Sequence, residues 1–157
     1  MPWLSLPARL FGGFPIGAGV PGCTYSARVA AAPLFRRLNR GMVVFDLALG
    51  TGALVAPTAT LRVLGHERPS EDALHLFRRC GPIWLTFAAA HAVAAVRDRP
   101  EDWWALAWLR ATELATDVVW ASSPAISRPG AKLGLRLAGV FNLVAAAGFV
   151  GLARERR

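Results

Sequence analysis

A chain of 157 residues has the length of one domain, and its 54% apolar and 18% charged residues depart from the roughly 45–50% and 25% of a soluble domain in the direction of lipid. Its formal charge of +8 comes from seventeen arginines and one lysine against ten acids. The arginines stand at the borders of apolar segments and not along one polar face, so they fit membrane topology and argue against a nucleic-acid partner. The two cysteines, Cys23 and Cys80, have no CxxC spacing and form neither a disulfide framework nor a zinc knuckle.

Residues 1–40 hold five prolines, at 2, 7, 15, 21 and 33, with glycines at 12, 13, 17, 19 and 22. Such a density of breakers predicts an irregular basic arm, ending in a short amphipathic turn through Arg36, Arg37 and Arg40. The weakly apolar run from Leu10 to Val20 is broken by glycine, which argues against a secretory signal. Met42 offers a second start, with the arm as a leader.

From Met42 the run MVVFDLALGTGALVAPTATLRV predicts a first spanning helix over 42–63, long enough for a ~30 Å hydrocarbon layer. Pro57 near its far end is expected to be accommodated by neighbouring helices. Ser70, followed by Glu71 and Asp72, is a helix start with acids near the positive end of the macrodipole. That helix begins outside the lipid and passes a kink at Pro82 into a second span over 81–97. The charged turn Arg97 to Asp102, with Pro100 inside it, opens a third helix over 101–122. SSPAISRPG breaks the chain, and a fourth span follows over 132–153.

The predicted fold is therefore all-α: residues 41–157 as a four-transmembrane-helix bundle behind an irregular N-terminal arm. Both termini fall on one side of the membrane. That side carries ten Lys and Arg and the other seven, which puts the termini of this multi-pass chain in the cytoplasm, at the cell (inner) membrane. Trp103 and Trp104 beside the charged turn read as an interface belt. Gly50, Gly52, the alanines 88–90 and 145–147, and Gly148 are small residues that permit close helix approach.

The third helix carries Arg110, Glu113 and Asp117 inside WLRATELATDVVW. At roughly 100° per residue these three share one face, while Trp104, Trp108, Ala111, Ala115 and Val118 take the other. A charge at mid-membrane costs about 2.5 kcal/mol or more, so it faces the bundle and pairs. Arg110 and Glu113 are close enough to pair along the helix, which leaves one acid to find a partner elsewhere. Asp46, His91, Arg136 and Asn142 are the candidates. Alternating helix directions set Asp117 level with Arg136, Arg110 with Glu113 and Asn142 at mid-depth, and His91 with Asp46 toward the cytoplasm, making a polar column. The column lends itself to ligand binding by Arg110, Glu113, Asp117, His91, Asn142 and Asp46. It also lends itself to catalysis with Glu113 or Asp117 as acid and His91 as base, or to helix pairing alone. His66, Glu67, His75 and Cys80 match no zinc pattern, so no metal is assigned. Arg78 and Arg79 suit phosphate headgroups.

FDLALGTGALVAP, RPSEDALHLFRRCGPIWLTFAAAHA and DWWALAWLRATELATD together resemble the small four-helix bacterial membrane proteins of the DoxX-like type, over about residues 42 to 152. The resemblance implies a membrane bundle, and some members are linked to quinone or thiol redox systems. It transfers no catalytic residue, and the missing CxxC departs from the thiol-active members. The expected function is binding of an apolar or amphipathic molecule, a quinone or isoprenoid lipid, with no cofactor assigned. A lipid isomerase or cyclase and an accessory membrane subunit are the alternatives, the latter with a membrane-protein partner or a second copy of the chain.

Overall fold

The computed structural model describes residues 21–155, with side chains from Ala31 onward. The described chain is all-helical: α1 (Pro21–Val55), α2 (Pro57–Val63), α3 (Glu71–Arg97), α4 (Pro100–Ala121) and α5 (Pro129–Glu155). α1 packs chiefly along α3 and α4 along α5. Asn39 meets His91 and Gly50 meets Gly81, so the first pair is antiparallel. Asp117 meets Asn142 and Trp103 meets Phe149, so the second is too. α2 and the connection after it close the first hairpin.

The first helix starts at Pro21 and not at Met42, so residues 21–40 are helical where an irregular arm was expected. Residues 1–20 of that arm lie outside the described residues. The reason is burial. Ala32, Asn39 and Met42 are buried and Phe35 is half-buried, so this stretch returns to the core every three or four residues and the helix runs through Pro33. Pro57 does the opposite of what was expected. It ends α1 at Val55 and opens α2 as that helix's first residue, with Ala56 (φ −136°) as the break between them. A proline ring there would clash with the carbonyl four residues back, and the missing N–H frees a helical acceptor.

The other starts follow their local chemistry. The Ser70 hydroxyl accepts the Ala73 N–H at 3.2 Å, with Glu71 and Asp72 in the first turn. Pro100 stands at the first turn of α4 with Glu101 and Asp102 behind it. Pro82 lies inside α3 without ending it. α5 begins at Pro129, three residues earlier than expected.

Seven-residue spacing organises the interior. Ala32, Asn39, Asp46 and Ala53 on α1 are buried at that interval; so are Trp103, Arg110 and Asp117 on α4, and Leu135, Asn142 and Phe149 on α5. On α3 the series is Phe77, Trp84 and His91, with Trp84 half-buried. A seven-residue repeat keeps one seam of each helix turned toward its neighbours. At the termini end the seam is apolar, with Met42, Ala94, Trp103, Leu106, Phe149 and Leu152 in one cluster. Smaller clusters around Leu61 and Phe77 and around Ile126 and Leu135 close the other end.

Two glycine contacts set the helix spacing. A Cβ on Gly81 would stand 3.0 Å from the Gly50 carbonyl oxygen and 2.6 Å from Leu54 Cγ, so α1 and α3 cross with their backbones nearly touching. A Cβ on Gly148 would overlap the Phe35 ring, which fills the α1–α5 crossing. The outside of the bundle is apolar. Val44, Phe45, Ile83, Trp108, Val119, Leu137 and Val140 are each more than half exposed.

Candidate functional site

The polar side chains buried in the bundle all occupy the seven-residue seams: Asn39, Asp46, His91, Arg110, Asp117 and Asn142. Two turns apart on α1, Asn39 and Asp46 present oxygens to the space where α3 and α4 meet. From α3, His91 places its ring between them. The Asn39 amide nitrogen donates to the His91 carbonyl at 2.9 Å, and the amide oxygen bonds the ring Nδ1. Arg110 Nε donates to His91 Nε2 at 3.0 Å, and Arg110 Nη2 bonds Asp46 Oδ2. A ring nitrogen that accepts from a guanidinium carries no proton, so the His91 proton sits on Nδ1, donated to Asn39, and the ring is neutral. His91, Asp46 and Arg110 are 0%, 1% and 2% exposed. The second carboxylate oxygen of Asp46, Oδ1, is buried and makes no hydrogen bond among the described residues.

A second polar station lies two turns along α4, where the Asn142 amide donates to Asp117 Oδ2 at 2.8 Å. The partners thus differ from those the sequence suggested. Arg110 pairs with Asp46 and His91 and not with Glu113, because its seam position aims the guanidinium across the bundle at α1 and α3. Glu113 lies off the seam, half-buried, with no side-chain hydrogen bond or ion pair among the described residues. Asp117 takes Asn142 and not Arg136: Arg136 is one residue past the seam residue Leu135 and points outward, exposed. The expected depths shift accordingly. Arg110 joins Asp46 and His91, and Asn142 leaves mid-depth to join Asp117.

Trp103 is also corrected. It is no interface tryptophan but is buried, its indole N–H donating to Asp98 Oδ1 at 2.8 Å and its ring packed on Phe149, which in turn reaches His91. Trp104 keeps the outer position, with the Arg154 guanidinium over its ring at 5.8 Å. Trp108, Ala111, Ala115 and Val118 are exposed on the face expected for lipid. Asn39 is the member of the site that the sequence reading missed. Its signal was the seven-residue interval to Asp46, hidden while residues before Met42 were read as an arm.

The candidate metal ligands go separate ways. His66 Nε2 accepts the Trp120 indole N–H at 2.9 Å, Glu67 takes Arg128 at 3.3 Å, His75 lies 3.8 Å from Glu71, and Cys80 is half-buried. Burial lowers the basicity of His66 below the ordinary histidine value.

Among the described residues, two surface depressions stand out. One of about 550 Å³ runs along the outside of α4, lined by Ala115, Thr116, Val119, Trp120 and Ser123. The other, about 150 Å³, lies at the termini end between α1, α3 and α4, lined by Arg36, Arg40, Ala95, Asp98 and Trp103. Neither is lined by Arg110, His91 or Asp46. No family model matches the chain, nor does any curated protein or solved structure.

Proposed function

We propose that the chain is a four-pass protein of the cell (inner) membrane that holds an apolar or amphipathic molecule, of the quinone or isoprenoid-lipid class, against α4. Two of its helical stretches, Ala31–Val55 and Pro129–Glu155, are long and apolar enough to cross a membrane, and 28% and 39% of their most apolar windows are buried inside the chain. A core helix of a soluble protein would be mostly covered. α3 and α4 lie antiparallel to these two and share their apolar exterior, while Arg110 and Asp117 turn inward. That inside-out distribution, polar within and apolar without, supports four crossings. The DoxX-like resemblance belongs to the same reading.

The observation that carries the ligand is the α4 cleft. It is a shallow groove open to the outside of the bundle, lined by Ala115, Thr116, Val119, Trp120 and Ser123 and almost wholly apolar, so a flat or chain-like apolar molecule can lie along it. Glu113, Thr116 and Trp120 recur at three- and four-residue intervals along one edge of α4, which puts Glu113 one turn beyond the lining residue Thr116 and makes it the nearest carboxyl along that edge for a ligand's polar end. The test is native mass spectrometry of detergent-purified protein with extraction of bound small molecules. Wild type should carry a stoichiometric apolar ligand that Val119→Trp, which fills the cleft, and Glu113→Gln both lose while the helices stay folded. Absence of any such ligand from wild type would overturn the reading.

A second reading, an accessory subunit whose charges only fix helices together, is favoured by the closed cluster of Asn39, His91, Arg110 and Asp46. The acid/base reading draws the least support, since both ring nitrogens of His91 are engaged and neither cleft reaches it.

A further inference from the structure

We infer that the cavity at the termini end of the bundle is a binding site for the phosphate of an anionic phospholipid. The inference rests on the membrane reading above. The cavity holds about 150 Å³, room for roughly five waters, which suits a phosphodiester group and little more. Two of its described lining residues are arginines one helical turn apart on α1, Arg36 and Arg40. Each guanidinium has five N–H donors and no acceptor. Arg36 spends part of its capacity at long range, 3.5 Å to Asp98 and 3.9 Å to Glu155. Asp98 is held in turn by the Trp103 indole N–H. Arg40 makes no ion pair or side-chain hydrogen bond among the described residues. Among the described residues of the lining the guanidinium donors therefore outnumber the carboxylate acceptors, and a phosphate is the acceptor that matches a guanidinium fork.

Position selects the lipid as the source of that phosphate. Arg40 is the last charged residue before the apolar run that begins at Gly41, in the N-terminal part of the Ala31–Val55 stretch, from where a long arginine side chain reaches up to the headgroups. Trp104 and Arg154 mark the same level on α4 and α5. Basic pockets between transmembrane helices at this level are where anionic headgroups bind. The Asp98 carboxylate on the cavity wall is held by Arg36 and by the Trp103 indole N–H, which offset its charge toward a phosphate.

The test titrates detergent-purified full-length chain with short-chain phosphatidylglycerol, short-chain phosphatidylcholine and inorganic phosphate, counting bound lipid by native mass spectrometry. Wild type should prefer phosphatidylglycerol. Arg40→Gln should bind it about fivefold more weakly, and Ala95→Leu, which fills the cavity and keeps every charge, should lose it as well. Arg37→Gln, on the exposed side of the same helix, should bind like wild type. Equal loss in Arg37→Gln and Arg40→Gln, or full binding by Ala95→Leu, would show a diffuse surface charge and overturn the site. Equal affinity for inorganic phosphate would overturn the lipid assignment. A wild-type chain that stays monodisperse without detergent would bring down the membrane reading itself, whereas one that needs detergent yet shows no lipid preference brings down this inference alone.

Discussion

Arg110 brings a full positive charge to a position 2% exposed, and Asp46 is its ion-pair partner among the described residues. Removing one member of such a pair leaves the other buried and uncompensated, so Asp46→Asn should destabilise the fold by about 3–5 kcal/mol in detergent denaturation. Pairing that change with Arg110→Met should recover most of the loss. Glu113→Gln, lacking any such partner, should stay within about 1 kcal/mol of wild type. The opposite order, with Glu113→Gln the costly change, would mean that Arg110 pairs along its own helix as its spacing first suggested. His66 supplies a pH dependence. Its Nε2 accepts the Trp120 N–H, which only the unprotonated nitrogen can do, and burial favours the same neutral form. The folded ring is therefore less basic than the unfolded one, whose ordinary value is 6.5. Stability from the neutral ring is complete above that pH and is lost as pH falls below it, through the lower folded value. Trp120 fluorescence should change reversibly on acidification below 6.5, and His66→Phe should flatten the change. Which residues would be polar and buried was legible from the sequence, because Arg110, Asp117, His91 and Asp46 stand out in apolar runs. Who pairs with whom was not, since pairing follows the seven-residue seams of several helices together, and Glu113 and Arg136 lie off them while Asp46 and Asn142 lie on them.

Helix starts were legible where the signal is local. Ser70 and Pro100 act through a single hydroxyl or ring on the first turn, and both begin helices as their chemistry requires. The start of α1 was not legible, because Pro33 and the glycines upstream argue locally for a break, whereas burial of Ala32, Asn39 and Met42 against other helices decides for continuity. The same contrast governs the small residues, which sequence alone flags as permissive without saying which are in use. Gly148 is in use: a methyl there runs into the flat Phe35 ring, so Gly148→Ala should cost about 1–3 kcal/mol. Phe35→Ala in the same chain should relieve the clash, making the pair strongly non-additive. Gly81→Ala should have no such rescue by a side-chain trimming alone, because the Gly50 carbonyl itself stands in the way. Unfolding of the three variants and the double variant in SDS titration separates these outcomes; additive costs for Gly148 and Phe35 would mean that the α1–α5 crossing is looser than the geometry requires.

At the scale of the whole molecule the decisive question is whether α3 and α4 cross a bilayer together with α1 and α5, the two helices long and apolar enough to do so. Neither is apolar enough by composition: α3 opens with Glu71, Asp72, Arg78 and Arg79, and α4 contains Arg110, Glu113 and Asp117. For α4 packing supplies what composition withholds, because Arg110 and Asp117 are neutralised or hydrogen-bonded inside the bundle and its outer side shows Trp108, Val118 and Val119; the four charges that open α3 are exposed but all precede Gly81, where its apolar stretch begins. If all four helices cross, the connection before α3 and the turn before α4 lie on opposite faces, and the arginine excess puts the turn in the cytoplasm. Arg68 and Glu101 are exposed residues in those two segments. In a chain with Cys23→Ser and Cys80→Ser, a membrane-impermeant maleimide applied to intact spheroplasts should label Arg68→Cys at once and Glu101→Cys only after permeabilisation. Labelling of the two positions from the same side would mean that α3 lies on the membrane and does not span it, and the polar cluster of Asp46, His91 and Arg110 would then need water at one edge. The reverse pattern, with Glu101→Cys labelled first, would keep the four crossings and invert the molecule. The arginine-lined cavity would then face the outer leaflet, whose lipids would be the ones to test.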